Sequence, residues 1–253
     1  MTSPIVVNDL SKHVRHVVIN RTEAKNALTA QMYLSLSDVL IEADNAPDIR
    51  AVVISGNDKV FCAGNDLNDF LERPPLDSSA PPFTFLMALN NFSKPLIAAT
   101  AGPAVGIGTT MLLHCDHVIS ADNTLFKMPF VSLGLTPEGG SSLLLPYLIG
   151  QRLASELLML GKSFDAQYAH NIGLINQVCE PQEVIALAID KANQYAAQAP
   201  EAVQQAKALL KAPFKEHIEQ IIKSEGEIFA QRVKSAECKE AISAFFEKRA
   251  PNF

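Results

Sequence analysis

Three short, largely apolar runs constrain this chain most: Ala51–Ser55, Leu96–Thr100 and His117–Ser120. Runs this brief, without polar alternation, read as strands covered on both faces. Before and between them lie segments with apolar residues at helical spacing: Thr29–Ala43, with Thr29 as N-cap, Phe83–Phe92 and Gly106–Cys115. Strands alternating with helices imply crossover connections, hence an α/β fold with a largely parallel sheet. Val14–Ile19 mixes β-branched and polar residues and reads as one more strand. Asn68–Pro82 holds Pro74, Pro75, Pro81 and Pro82 and reads as a mobile loop. From Ser141 onward helices dominate: Ser141–Leu148, Leu153–Leu160, Ala166–Asn171, Gln182–Gln198, and Ala202–Phe246 with a break near Pro213. Composition shifts around Pro181–Pro200. The expected division is an α/β core over residues 1–198 and a helical region over 199–253 that serves packing.

The chain has 253 residues, of which 48 % are hydrophobic and 19 % charged, so a wholly disordered chain is excluded. A net charge of −6 argues against a nucleic-acid partner. Cys62, Cys115, Cys179 and Cys238 form no CxxC element and read as free thiols. The scattered histidines suggest no metal site. Neither a secretory signal nor an apolar run of about 18 residues is present, so no membrane segment is expected. A bacterial chain of this kind is expected in the cytoplasm; an organellar protein without its transit peptide reads the same way.

Three segments could carry chemistry. Phe61-Cys62-Ala63-Gly64-Asn65-Asp66-Leu67 follows a buried strand and leads into a helix start, whose free amides suit an anion or a polarised carbonyl oxygen. It is also readable as an ordinary turn with Asp66 as cap. Ala101-Gly102-Pro103-Ala104-Val105-Gly106-Ile107-Gly108 repeats the arrangement, and close helix–strand packing is the alternative. It is neither a P-loop nor a GxGxxG element, since position 111 is Met111. Leu133-Gly134-Leu135-Thr136-Pro137-Glu138-Gly139-Gly140-Ser141-Ser142 places one carboxylate in an otherwise uncharged stretch. Glu138 is therefore a general base with raised pKa, a residue of a solvated turn, or a first-turn partner of the helix dipole.

Together and in this order, the segments resemble those of the crotonase superfamily, the enoyl-CoA hydratase/isomerase family. The likeness runs from Asn26-Ala27-Leu28 to Phe246-Glu247-Lys248-Arg249. It implies the crotonase fold of repeated ββα units, an acyl-CoA thioester substrate, and homotrimers or pairs of trimers. No separate cofactor is implied, because coenzyme A is part of the substrate. Two backbone amides, of Asn65 and Ile107, would stabilise an enolate oxyanion. Family hydratases carry two water-handling glutamates; the matching positions here are Thr110 and Phe130. Pro137-Glu138-Gly139-Gly140-Ser141-Ser142 is similar to the peroxisomal-type Δ3,Δ2-enoyl-CoA isomerases, in which this glutamate is the single base. The expected activity is conversion of 3-enoyl-CoA to trans-2-enoyl-CoA. Hydration or other processing of an acyl-CoA, and silent acyl-CoA binding, are the alternatives.

For the substrate, the resemblance points to Ala24 and Lys25 within Glu23–Ala27, the backbones of Ala63 and Asp66, and to Gly64, Leu67 and Gly106. Phe130 would make the pocket apolar, Lys248 would meet a CoA phosphate, and Phe245 and Phe246 would line the acyl end or pack. Adjacent His114 and Cys115 point in different directions on a helix and read as packed residues.

Overall fold

A computed structural model describes residues 3–10 and 13–253. The chain opens with β1 (Ile5–Asp9), β2 (Val14–Ile19) and α1 (Ala30–Asn45), then β3 (Ala51–Ser55), α2 (Leu67–Glu72), α3 (Pro81–Asn91) and β4 (Leu96–Thr100). Next come β5 (Pro103–Val105), α4 (Ile107–Thr110), β6 (His117–Ala121) and β7 (Leu125–Lys127). The rest is α5 (Ser141–Ile149), α6 (Gln151–Met159), β8 (Phe164–Asp165), α7 (Ala166–Asn171), β9 (Gln177–Cys179), α8 (Val184–Ala196), α9 (Pro200–Lys211), α10 (Lys215–Val233) and α11 (Ala236–Glu247).

The main sheet has the order β1-β2-β3-β4-β6-β9, parallel except for the β1–β2 pair. A second sheet joins β5, β7 and β8. The central strands β3, β4 and β6 are largely apolar because both faces are covered. Val52, Ile54, Leu96 and Ala98 face a core shared with α1 and α3. Val53, Ile97, Ala99 and Ile119 face α8, where Val184, Ala188, Ala192 and Ala196 recur every four residues as one stripe. The C-terminal helices join the first core through Ile218, Ile222, Phe229, Cys238 and Ile242. Phe229 meets Phe83 edge-on at 5.9 Å between ring centres.

Three expected segments differ. Asn68–Pro82 is not wholly loop: Asp66 accepts from the Asn68 and Asp69 N–H groups and caps α2, while Pro81 and Pro82 begin α3. Proline has no N–H to satisfy in a first turn, so here it starts a helix. Gly106–Cys115 is one short α turn, α4, followed by a 3₁₀ turn over Met111–His114. The final helical stretch breaks twice, near Pro213 and again before Ser235, which caps α11 by accepting the Cys238 N–H at 3.1 Å.

Beyond β3 and β4 the chain continues as two segments, the second containing β5; one isolated parallel bridge laces them together and another joins the first to Leu28. The Cys62 N–H donates to Pro103 O and the Val105 N–H to Cys62 O, each at 2.9 Å, pairing Cys62 with Ala104. The Leu28 N–H donates to Gly64 O at 2.8 Å and the Asp66 N–H to Leu28 O at 2.9 Å, pairing Leu28 with Asn65. Gly108 lies so close that an added Cβ would sit 2.6 Å from the Cys62 carbonyl oxygen. Backbone cannot yield as a flexible side chain would. Gly108→Ala is therefore expected to lower stability by roughly 1–3 kcal/mol, read as a lower urea midpoint with unchanged m-value.

Candidate active site

The two laced segments open onto a cavity of about 580 Å³. Ala24, Ala63, Gly64, Asn65, Asp66, Leu67, Gly106 and Phe130 line it, as do Phe245 and Phe246 from α11. These substrate-side positions thus come together from distant parts of the chain. A cavity of about 260 Å³ shares Asn65, Asp66 and Phe70 with it and reaches Tyr33 and Pro74. Another of about 550 Å³, lined by Asn90, Lys207 and Lys211, holds none of the expected site residues.

Four expected residues lie off the cavity wall: Lys25, Ile107, Glu138 and Lys248. Lys25 ends a 3₁₀ turn and Lys248 ends α11, both in the left-handed region, and neither lines the cavity. Its basic lining residues are Lys127 and Arg249. Lys25 meets the site through its backbone, its carbonyl accepting the Ala63 N–H at 3.1 Å. Sequence reasoning missed Arg249, which is anchored by Glu240 and Glu247 at 2.5 Å each.

Neither the Asn65 N–H nor the Ile107 N–H donates to another described residue. The reason is local in each case. A parallel bridge uses the groups flanking its residue, so the Leu28 pairing takes Gly64 O and the Asp66 N–H and leaves the Asn65 N–H unused. Ile107 is the first residue of α4, where an N–H has no intrahelical acceptor. Each donor stands three residues beyond its member of the Cys62–Ala104 bridge. Gly64 has φ +95°, and a Cβ there would lie 3.0 Å from Val105 O, so this close approach needs glycine. The Ile107 side chain is buried in the core, so its backbone is what it offers.

Glu138 is 4 % exposed and not in a solvated turn. Its carboxylate accepts from the Thr110 hydroxyl, at the end of α4. Burial pushes its pKa up to about 8; the Thr110 bond opposes that shift and the nearby Glu225 charge adds to it. Gly139 and Gly140, at φ +76° and +72°, turn the chain directly after it. Two side chains clamp this turn. His114 Nε2 donates to Gly139 O at 2.8 Å, and burial lowers the imidazole pKa to about 4, so it stays neutral. Glu225 accepts the Gly140 N–H at 2.6 Å and the Ser142 N–H at 3.0 Å. It caps α5 from outside, where Gly140 has no side chain to do so.

Glu225 had no place in the sequence reading, although a signal exists. It is an acid on the apolar stripe formed by Ile218, Ile222 and Phe229 of α10. His114 and Cys115 do not act as a pair; His114 serves the Glu138 turn. Asp66 ion-pairs with Arg21 at 2.6 Å. Burial alone would raise its pKa, but the Asp69 N–H and the Arg21 guanidinium together hold it below the usual range.

Among the described residues no three His, Cys, Asp or Glu side chains are grouped to hold a metal, and no helix is long and apolar enough to cross a membrane.

Comparison with known proteins bears on this geometry. The model of the enoyl-CoA hydratase/isomerase family matches residues 9–253. The 2,3-dehydroadipyl-CoA hydratase of Escherichia coli is 33 % identical over 94 % of this chain and 93 % of its own. The 1,2-epoxyphenylacetyl-CoA isomerase of the same organism is 31 % identical over 98 % and 97 %. OdaA of Pseudomonas aeruginosa superposes with a TM-score of 0.94 at 46 % identity, over 96 % of this chain and 99 % of that one. A mostly parallel crotonase-type sheet, the two laced segments and this match along nearly the whole length lead to one conclusion: the chain belongs to the enoyl-CoA hydratase/isomerase family.

Proposed function

We propose that the protein is a Δ3,Δ2-enoyl-CoA isomerase acting on an acyl-CoA thioester. The observation that carries this reading is the buried carboxylate of Glu138, whose partner at the hydratase position is the hydroxyl of Thr110. The second hydratase position holds Phe130, an apolar side chain on the cavity wall. The relatives' names include both hydratases and an isomerase, so the choice rests on these residues.

In this reading the thioester carbonyl accepts from the Asn65 and Ile107 N–H groups. Ionised Glu138 removes a proton from C2, and the electron pair moves into a dienolate whose negative oxygen the two amides stabilise. Protonated Glu138 then returns the proton to C4, giving the conjugated 2-enoyl-CoA with no net gain or loss of atoms. One carboxylate serves both steps because it ends as it began. A pKa near neutrality suits a group that must first accept and then release the same proton. Apolar Phe130 helps to keep out water that would compete for that proton. Exposed Tyr147 on α5, Leu160 at the end of α6, and Leu209 and Leu210 on α9 fit the subunit contacts of a homotrimer.

Incubation with a 3-enoyl-CoA is expected to give the conjugated product at unchanged mass. Addition of water to 2-enoyl-CoA would favour the hydratase reading instead. Glu138→Gln should lower kcat by roughly 10²–10⁴-fold; normal isomerisation by that variant would remove Glu138 from its role.

The base must be ionised, so kcat/KM should rise with pH through about 8. Thr110→Val removes a bond to the charged form and should move this limb to higher pH. Glu225→Gln removes a nearby negative charge and should move it lower. Stability gives an independent check. Between the ordinary value of 4.5 and about 8 the folded chain keeps a proton that the unfolded chain releases. Stability should therefore fall as pH rises across that window. Urea titrations of Glu138→Gln should show the decline flattened.

A further inference from the structure

Tyr33 lies on the inner face of α1 and is 1 % exposed. Its ring packs beside Phe85 at 5.8 Å between centres, among Met32, Leu36 and Leu40. A phenylalanine would complete that face equally well, so packing does not account for the hydroxyl. The hydroxyl donates to Asn65 Oδ1 at 2.6 Å. Burial holds the phenol well above its ordinary pKa, which keeps it a donor.

Asn65 is the residue that gains from this bond. The Leu28 bridge fixes the peptide groups on both sides of Asn65 but leaves its side chain free to turn. An asparagine carbonyl oxygen competes for nearby backbone N–H groups and forms local turns with them. Asp66 already fills the capping role for α2. A free Asn65 Oδ1 would thus be an unneeded acceptor beside an N–H that has to stay open to a ligand. Tyr33 and Asn65 also share the wall of the 260 Å³ cavity, and Asn65 belongs to the larger cavity as well.

We infer that Tyr33 is a positioning residue: by occupying Asn65 Oδ1 it keeps that oxygen off the Asn65 amide N–H, which stays open to the thioester carbonyl. This rests on the acyl-CoA reading of the cavity, and holds whichever reaction Glu138 performs.

The test uses a 2-enoyl-CoA labelled with ¹³C at the thioester carbonyl, observed bound to the full-length protein by difference infrared spectroscopy. In the unaltered protein the carbonyl stretch should fall on binding, because two N–H donors polarise the bond. Tyr33→Phe should move it back toward the free value. That variant should also lower kcat for enoyl-CoA turnover about tenfold with KM nearly unchanged, as expected when a competing acceptor partly occupies one oxyanion donor. The double variant Tyr33→Phe/Asn65→Ala, which lacks the competing oxygen, should regain part of the lost carbonyl shift. A purely structural tyrosine would give neither the spectral change nor the rescue. An unaltered stretch in folded Tyr33→Phe, or a double variant with a smaller shift than the single one, would overturn the assignment. So would an unaltered protein that binds the labelled thioester without lowering its stretch. Failure of the isomerase reading appears separately, as absence of the conjugated product, and leaves the infrared comparison valid.

Discussion

The parallel bridge between Cys62 and Ala104 is the contact on which the site depends. Parallel strands β3 and β4 deliver two chain ends at the same edge of the sheet, as doubly covered sheets do. Adjacent ends are still free to splay. The bridge removes that freedom with two backbone hydrogen bonds, and glycine makes the approach feasible at Gly64 and Gly108. Asn26 reinforces it from a third segment. Fully buried, it donates to Val60 O and Phe61 O at 3.1 Å each, while its Oδ1 accepts the Arg21 N–H. The direction of the two unpaired donors comes from backbone geometry, and at position 65 the Tyr33 hydroxyl also occupies the side-chain oxygen beside the donor.

Burying Glu138 works against the fold. A carboxylate in this environment is held largely uncharged near neutrality, and the fold offers its charged form only the Thr110 hydroxyl. The surrounding turn is correspondingly well secured. His114 and Glu225 hold the peptide groups just after it, and two left-handed glycines permit the path. The hydrogen bonds around the turn oppose the cost of burying this carboxylate. The same arrangement explains why His114, although buried near the chemistry, works as a neutral donor to a carbonyl.

Much of this was legible in the sequence because it depends on short-range pattern. Apolar runs marked β3, β4 and β6; Thr29 and Asp66 marked helix starts; and the glycines marked the turns. What was not legible was either too short or too distant. β5, β7, β8 and β9 have two or three residues each and carry no measurable alternation. The prolines at 81 and 82 carry the same letter whether they end a loop or begin a helix, and only the packing of α3 decides. Lys25 and Lys248 were chosen by charge, yet both occupy left-handed turns off the cavity wall, and Arg249 stands there instead. Glu225 and Tyr33 act through hydrogen bonds to residues 85 and 32 positions away, separations that no local pattern encodes.

Thr110 and Glu138 are better understood as one choice than as two. Their side chains are in direct contact inside a buried space. A carboxylate at 110 would face Glu138 as a like charge in a medium that screens poorly, and one of the two would stay protonated at neutral pH. A hydroxyl avoids that conflict and donates to Glu138 in its charged form. Conversely, with threonine at 110 a second carboxylate for holding water is lacking at that position, and Phe130 on the cavity wall offers no replacement. In the proposed reading the pair suits chemistry in which one acid picks up and returns one proton, with the Asn65 and Ile107 amides bearing the charge in between.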